Sequence, residues 1–222
     1  MIIYHGSTAV IEKPIFGFGN PHNDYGRGFY CTESESLSKE WACQKNADGF
    51  ANKYELDIQG LRILNLSDSS FNILHWLAIL MQNRIFTPKS PLGKQNLDFL
   101  KEKFKLEYES FDVILGYRAN DSYFSFASDF LENIIPLENL ASSMKLGSLG
   151  LQVVLKTEKA FEQLKFIDAV RADRNAYYLK YKERDFQARK KYFDELKLAK
   201  PSEATYLLDL VRKPELLDEI HL

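Results

Sequence analysis

Asp24-Tyr25-Gly26-Arg27-Gly28-Phe29-Tyr30-Cys31-Thr32, downstream of Tyr4-His5-Gly6-Ser7, is the stretch from which the rest of the chain is read. It sets one imidazole and one phenol beside glycine-rich backbone. Histidine donates to or accepts from hydroxyls, glycine lets a ligand approach the main chain, and a tyrosine ring offers a flat face. The pair suits a ribosyl nicotinamide, in which a hydroxylated sugar carries a flat ring. Residues 29–31 read as a strand leaving a loop that spans 6–28, and residues 1–4 as a strand that delivers His5 at its end.

Outward from that pair, Thr32 or Ser34 can cap a helix with Leu37, Trp41 and Ala42 on one side, ending near Asp48-Gly49. Residues 54–58 and 62–66 read as short strands around Gln59-Gly60. Ile73, Leu74, Leu77, Ile79, Leu80 and Met81 predict a mostly buried helix over 71–84. Two prolines and a glycine make 87–93 a loop, before a polar helix over 96–108. The β-branched apolar run 111–117 predicts a central strand, with the polar segment 118–124 directly after it. Helices over 128–133 and 137–144 follow, then strands at 151–155 and 166–172 around a helix at 158–164. The pattern is a mixed, mostly antiparallel α+β domain. From 173 to 199 it becomes one long charged helix, with a shorter one over 203–211.

At 222 residues, with a formal charge of −2, the chain fits one domain, or one with an appendage. We divide it into a domain over 1–170 and a helical extension over 171–222, packed on the domain or on a partner. Residues 171–200 hold ten basic and five acidic residues, with Tyr177, Tyr178, Tyr181, Phe186, Tyr192 and Phe193 among them. That mixture suits a solvated amphipathic helix, or phosphates and stacked bases of a nucleic acid. Leu179, Phe186 and Phe193, seven residues apart, form a narrow apolar stripe. Met-Ile-Ile-Tyr-His lacks the charged start of a secretory signal, and the apolar run near 73–81 is too short to cross a membrane. Two cysteines argue for a reducing compartment, so a cytoplasmic location is expected. Histidines and cysteines without ligand spacing predict no metal site, and there is no Walker-type glycine loop.

Tyr4-His5-Gly6-Ser7, the Asp24–Thr32 stretch, Trp41-Ala42, Ala119-Asn120-Asp121-Ser122-Tyr123-Phe124 and Leu151-Gln152 resemble, in this order, the signatures of the bacterial domain-of-unknown-function family DUF3990. Through it the chain resembles the diphtheria-toxin-like and poly-ADP-ribose-polymerase-like ADP-ribosyltransferases. The resemblance covers most of 1–170. It implies a split β-sheet core with flanking helices and a nicotinamide cleft between two small sheets. It implies that His5 bonds the adenosine-side ribose of NAD, that Gly6 and Ser7 hold the nicotinamide amide, and that Tyr30 stacks on the ring. NAD is then a substrate, and the activity a mono-ADP-ribosyltransferase, a glycosyltransferase acting on a protein or nucleic acid.

A late-strand glutamate normally bonds the ribose 2′-hydroxyl in such enzymes, and here Gln152 stands in its place. An amide can hydrogen-bond that hydroxyl but brings no charge and cannot act as a base. Asp121, in a polar loop after a buried strand, is the candidate carboxylate, with Asn120 beside it in the cleft; Asp121 or Ser122 also suits a helix N-cap. Asp24 and Arg27 are expected to pair and shape the loop, or to bind pyrophosphate, with Gly28 giving close backbone approach. Two rival readings stand beside catalysis: a module that holds NAD or ADP-ribose without turnover, and a partner-binding component of a toxin–antitoxin or phage-defence pair docking a small antitoxin-like protein.

Overall fold

The structure is a computed structural model that describes residues 1–119, 121–145, 150–198 and 204–219. Seven strands run through them: β1 (Ile2–Ser7), β2 (Phe29–Cys31), β3 (Gly49–Leu56), β4 (Ile63–Asn65), β5 (Val113–Tyr117), β6 (Leu151–Leu155) and β7 (Leu164–Ala172). Among the described residues the helices are α1 (Glu35–Ala42), α2 (Ile73–Asn83), α3 (Pro91–Lys103), α4 (Asp121–Leu131), α5 (Leu137–Lys145), α6 (Glu158–Glu162), α7 (Arg174–Leu198) and α8 (Leu207–Arg212). The fold is mixed α+β with two sheets. One has the order β1-β3-β7 and is antiparallel; the other has the order β2-β6-β5-β4, antiparallel except where β4 meets β5.

Alternation along each strand sends its side chains to two destinations. Phe29, Cys31, Val113, Val153 and Leu155 leave one face of the second sheet and meet Ile3, Tyr54 and Leu56 of the first, forming a core between the sheets. Ile114 and Val154 leave the opposite face and join Tyr25, Trp76, Leu77 and Phe130 in a larger core beneath the helices. The sheets are tied at one corner, where Tyr4 N donates to Thr32 O at 2.7 Å and Thr32 N to Tyr4 O at 2.9 Å. That tie sets His5 of one sheet beside Tyr30 of the other. Gly6 lets α1 lie directly on β1, since a Cβ there would stand 2.1 Å from Ser38 O.

Residues beyond 170 belong to the same body. Tyr192 of α7 is buried, stacks on Phe126 with centroids 3.9 Å apart, and donates to Asp129 Oδ2. Arg184 reaches the buried Glu40 of α1 through two bonds of 3.0 and 2.8 Å. Leu207 and Leu210 of α8 are part of the helical core, and Leu137 N donates to Thr205 O at 2.8 Å. The Leu179, Phe186 and Phe193 stripe faces away from the domain, at 64%, 59% and 57% exposure.

Several boundaries differ from the sequence reading. β1 extends to Ser7, so His5 lies inside the strand, paired with Asn52. Ser34, and not Thr32, caps α1 by accepting from Leu37 N. That helix ends at Ala42, and β3 has begun by Gly49. The stretch read as a loop to 93 holds the start of α3, with Ser90 as N-cap and Pro91 in the first turn. α4 starts seven residues before the expected 128. β7 starts at Leu164 because α6 is a single short turn, and α8 is shorter than expected, at Leu207–Arg212. Among the described residues no helix is long and apolar enough to cross a membrane.

Candidate functional site

His5 and Gly6 come from β1, Tyr30 from β2 and Gln152 from β6. Tyr30 pairs with Val154, two residues from Gln152, so Tyr30 and Gln152 share a face of the second sheet. His5 crosses from the other sheet at the corner: its Nδ1 lies 2.7 Å from Tyr30 O and its ring stacks on Phe29, centroids 4.3 Å apart. His5, Gly6, Tyr30 and Gln152 line one cleft of about 250 Å³ with Asp24 and Arg118. A second, apolar chamber of about 420 Å³, lined by Ile11, Ile15, Phe18 and Phe161, meets the first at His5, Asn23 and Tyr30.

Hydrogen bonding settles what each group offers. A carbonyl only accepts, so His5 Nδ1 carries the proton and donates to Tyr30 O, and burial holds the imidazole's pKa below its ordinary value. Neutral His5 therefore keeps a lone pair on Nε2, which can accept a hydrogen bond. The Tyr30 hydroxyl is engaged in the loop: it donates to Gly26 O at 2.6 Å and accepts from Tyr25 N at 3.0 Å, while burial drives its pKa upward. Tyr30 thus presents its ring to the cleft.

Gln152 is 5% exposed. Its side chain hydrogen-bonds Asp24, whose carboxylate also accepts from Ala119 N at 2.8 Å and lies 3.7 Å from Arg84 Nη1. Burial raises the Asp24 pKa, against the opposing pull of Ala119 N–H, Arg84, Arg118 and Gln152. Across the cleft the Arg118 guanidinium lies over the Trp41 ring, 4.0 Å from its centroid. Gln152 Oε1 and Trp41 Nε1 are buried with no partner among the described residues. Buried polar atoms are seldom left so, and here one acceptor and one donor belong to residues lining the same cleft.

The structure gathers His5, Gly6, Tyr30, Gln152 and Asp24, and it separates the rest. Ser7 is turned into the fold, donating to Ala9 O and accepting from Asn52 Nδ2, so its hydroxyl does not line the cleft. Asp24 pairs with Arg84 instead of Arg27, because the chain turns at Asn23–Gly26 and leaves Arg27 exposed at another cavity. Gly28 lines the apolar chamber. Asn120 lies outside the described residues, and Asp121 is described by its backbone alone, as the first residue of α4. The carboxylate seen beside Gln152 is Asp24.

Sequence reasoning did not pick out Trp41, Arg84 or Asn52 for the site. Trp41 was readable in principle from its place in the Trp41-Ala42 block on the helix after Tyr30. Asn52 is fully buried opposite His5; its amide donates to Ser7 Oγ, and to His5 O and Ala9 O, and its Oδ1 accepts from Ile11 N at 2.8 Å. It thereby fixes how the chain leaves β1. Arg84 follows α2 with no sequence signal to mark it.

No curated protein and no solved structure matches the chain. A family model described as "Protein of unknown function (DUF3990)" matches residues 1–166, the span that holds every residue lining both chambers, and the chain belongs to that family.

Proposed function

We propose that the protein transfers ADP-ribose from NAD to a macromolecular acceptor and releases nicotinamide. The observation that carries the reading is that His5, Tyr30 and Gln152, from three strands of two sheets, line one cleft. NAD is two ring-bearing nucleosides joined by pyrophosphate, and two chambers meet at His5 and Tyr30. The polar chamber suits the nicotinamide riboside: Trp41 Nε1 and Gln152 Oε1 are a donor and an acceptor, the complement of a carboxamide. The apolar chamber suits adenine.

In the reaction the bond between ribose C1′ and the nicotinamide nitrogen breaks, its electron pair leaves with the ring, and the acceptor attacks C1′ and loses a proton. Positive charge builds on the ribose meanwhile. His5 Nε2 accepts from a ribose hydroxyl, the Tyr30 ring holds nicotinamide in place, and the cleft limits water. Gln152 is neutral, but its amide contacts the Asp24 carboxylate, so a negative charge stands one hydrogen bond behind it.

A second reading, an NAD- or ADP-ribose-binding module without turnover, is favoured by Arg84 and Arg118 beside Asp24, which offset that charge. Incubating the pure protein with labelled NAD and cell lysate distinguishes them. Label on a macromolecule with free nicotinamide supports transfer. Saturable NAD binding with neither product supports the module, and more so if Gln152→Glu then gains activity. No NAD binding at all overturns both.

A further inference from the structure

A further cavity of about 280 Å³ opens on the other side of the Tyr25–Gly28 turn; it shares no residue with the cleft of His5 and Gln152 and borders the apolar chamber at Gly28 and Phe161. Two cations line it: Arg27, which is exposed, and Lys156, directly after β6, whose side chain is only 5% exposed. Lys156 Nζ donates to Tyr25 O and lies 5.7 Å from the Tyr108 ring centroid. The carboxylate facing it, Glu109 Oε2, is 4.0 Å away on a side chain 71% exposed to water.

A buried ammonium is costly unless it is paired and fully hydrogen-bonded. Here one donor is used by a carbonyl, and the counter-charge stands at the outer limit of an ion pair on a solvated side chain. Burial accordingly lowers the Lys156 pKa more than Glu109 raises it. Phe16 and Phe161, edge to face at 5.6 Å, give the cavity an aromatic wall. The composition is that of a site for an anionic group attached to an apolar or flat body.

We propose that this cavity binds the phosphate group of a phosphorylated small molecule, with Lys156 and Arg27 as the cationic partners and Phe16 and Phe161 against its body. A phosphate dianion supplies Lys156 with several further acceptors and a closer opposing charge than Glu109, and the exposed head of Arg27 can reach over it. The contact reaches the neighbouring cleft through the turn. Lys156 holds Tyr25 O, Tyr25 N donates to the Tyr30 hydroxyl, and that hydroxyl holds Gly26 O.

The test is a titration of the full chain with sodium pyrophosphate at low ionic strength, followed by backbone amide NMR. Saturable shifts at Gly26, Arg27, Gly28 and Lys156 are expected. Arg27→Ala should weaken binding about tenfold, the worth of one charge-assisted contact. Glu109→Gln should tighten it severalfold by removing the competing carboxylate. Both positions are exposed, so the result does not hinge on whether Lys156→Met folds. Absence of saturable shifts, or one dissociation constant shared by the parent and both variants, overturns the proposal. Arg27, Glu109 and Lys156 line this cavity and neither chamber proposed for NAD, so the Lys156 shift and the two variants, not the shift at Gly28, separate this site from NAD binding.

Discussion

Tyr30 shows how one side chain divides its work between fold and ligand. Its hydroxyl is committed to the Tyr25–Gly26 turn and its ring to the cleft. Tyr30→Phe should therefore cost about 1 kcal/mol of stability in urea melts yet hold NAD affinity within about threefold, whereas Tyr30→Ala should lose NAD binding. His5 adds a pH signature. Its folded pKa, like that of His75, lies below the ordinary 6.5, so the unfolded chain takes up protons first as pH falls. The stability these histidines contribute is present above 6.5 and declines as pH falls from there to the folded pKa, and NAD affinity should fall only at the lower pH where the folded imidazole itself protonates and Nε2 ceases to accept. Asp24 has the opposite sign: folding raises its pKa, so its ionised form is held at a net cost. Asp24→Asn should fold with a midpoint near the parent's while transfer activity drops, a split visible by thermal melt and label release. His5 and Tyr30 were legible because each sits in a short motif with its own glycines. Arg84 was not, because it meets Asp24 only through tertiary packing of α2.

The elements that were legible are those whose burial follows a simple period. The run over Val113–Tyr117 reads as a central strand and is one, and Ile73–Asn83 reads as a buried helix and is one. β3 was found only in its second half because a fully buried Asn52 interrupts the apolar alternation, and that asparagine belongs there for the hydrogen bonds it makes to the end of β1. α3 was read late because Ser90-Pro91 marks a helix start as well as a loop; the serine accepts from Gly93 N and the proline sits where its missing donor costs nothing. α1 lies closely on β1. Gly6→Ala would drive a methyl into Ser38 O, and we expect a loss of about 1–3 kcal/mol with distortion of the cleft, measured by chemical denaturation and NAD binding. Gly116 serves β5 similarly, since a Cβ there would meet the Tyr25 hydroxyl that anchors the turn to Tyr117 O.

On the scale of the molecule, the family match ends at residue 166, but the packed body does not. Tyr192, Leu207 and Leu210 lie in the same core as Phe126 and Leu137, so a chain ending at residue 172 should be insoluble or melt more than about 10 °C below the parent. Sequence periodicity located the stripe of Leu179, Phe186 and Phe193 but could not say which way it turned. The side of α7 turned to the domain carries the buried Ala188 and Tyr192 and the half-buried Arg184, and they roll the stripe outward. That orientation gives the molecule a colloidal character. Over about 21 Å of helix, a row of greasy knobs stands among ammonium and guanidinium groups that push identical copies apart. Added salt shortens the reach of that repulsion and sharpens the aversion of water for the knobs. Light scattering should accordingly find dispersed particles in dilute buffer and clustering as ionic strength climbs, the reverse of a protein whose copies cohere through opposite charges.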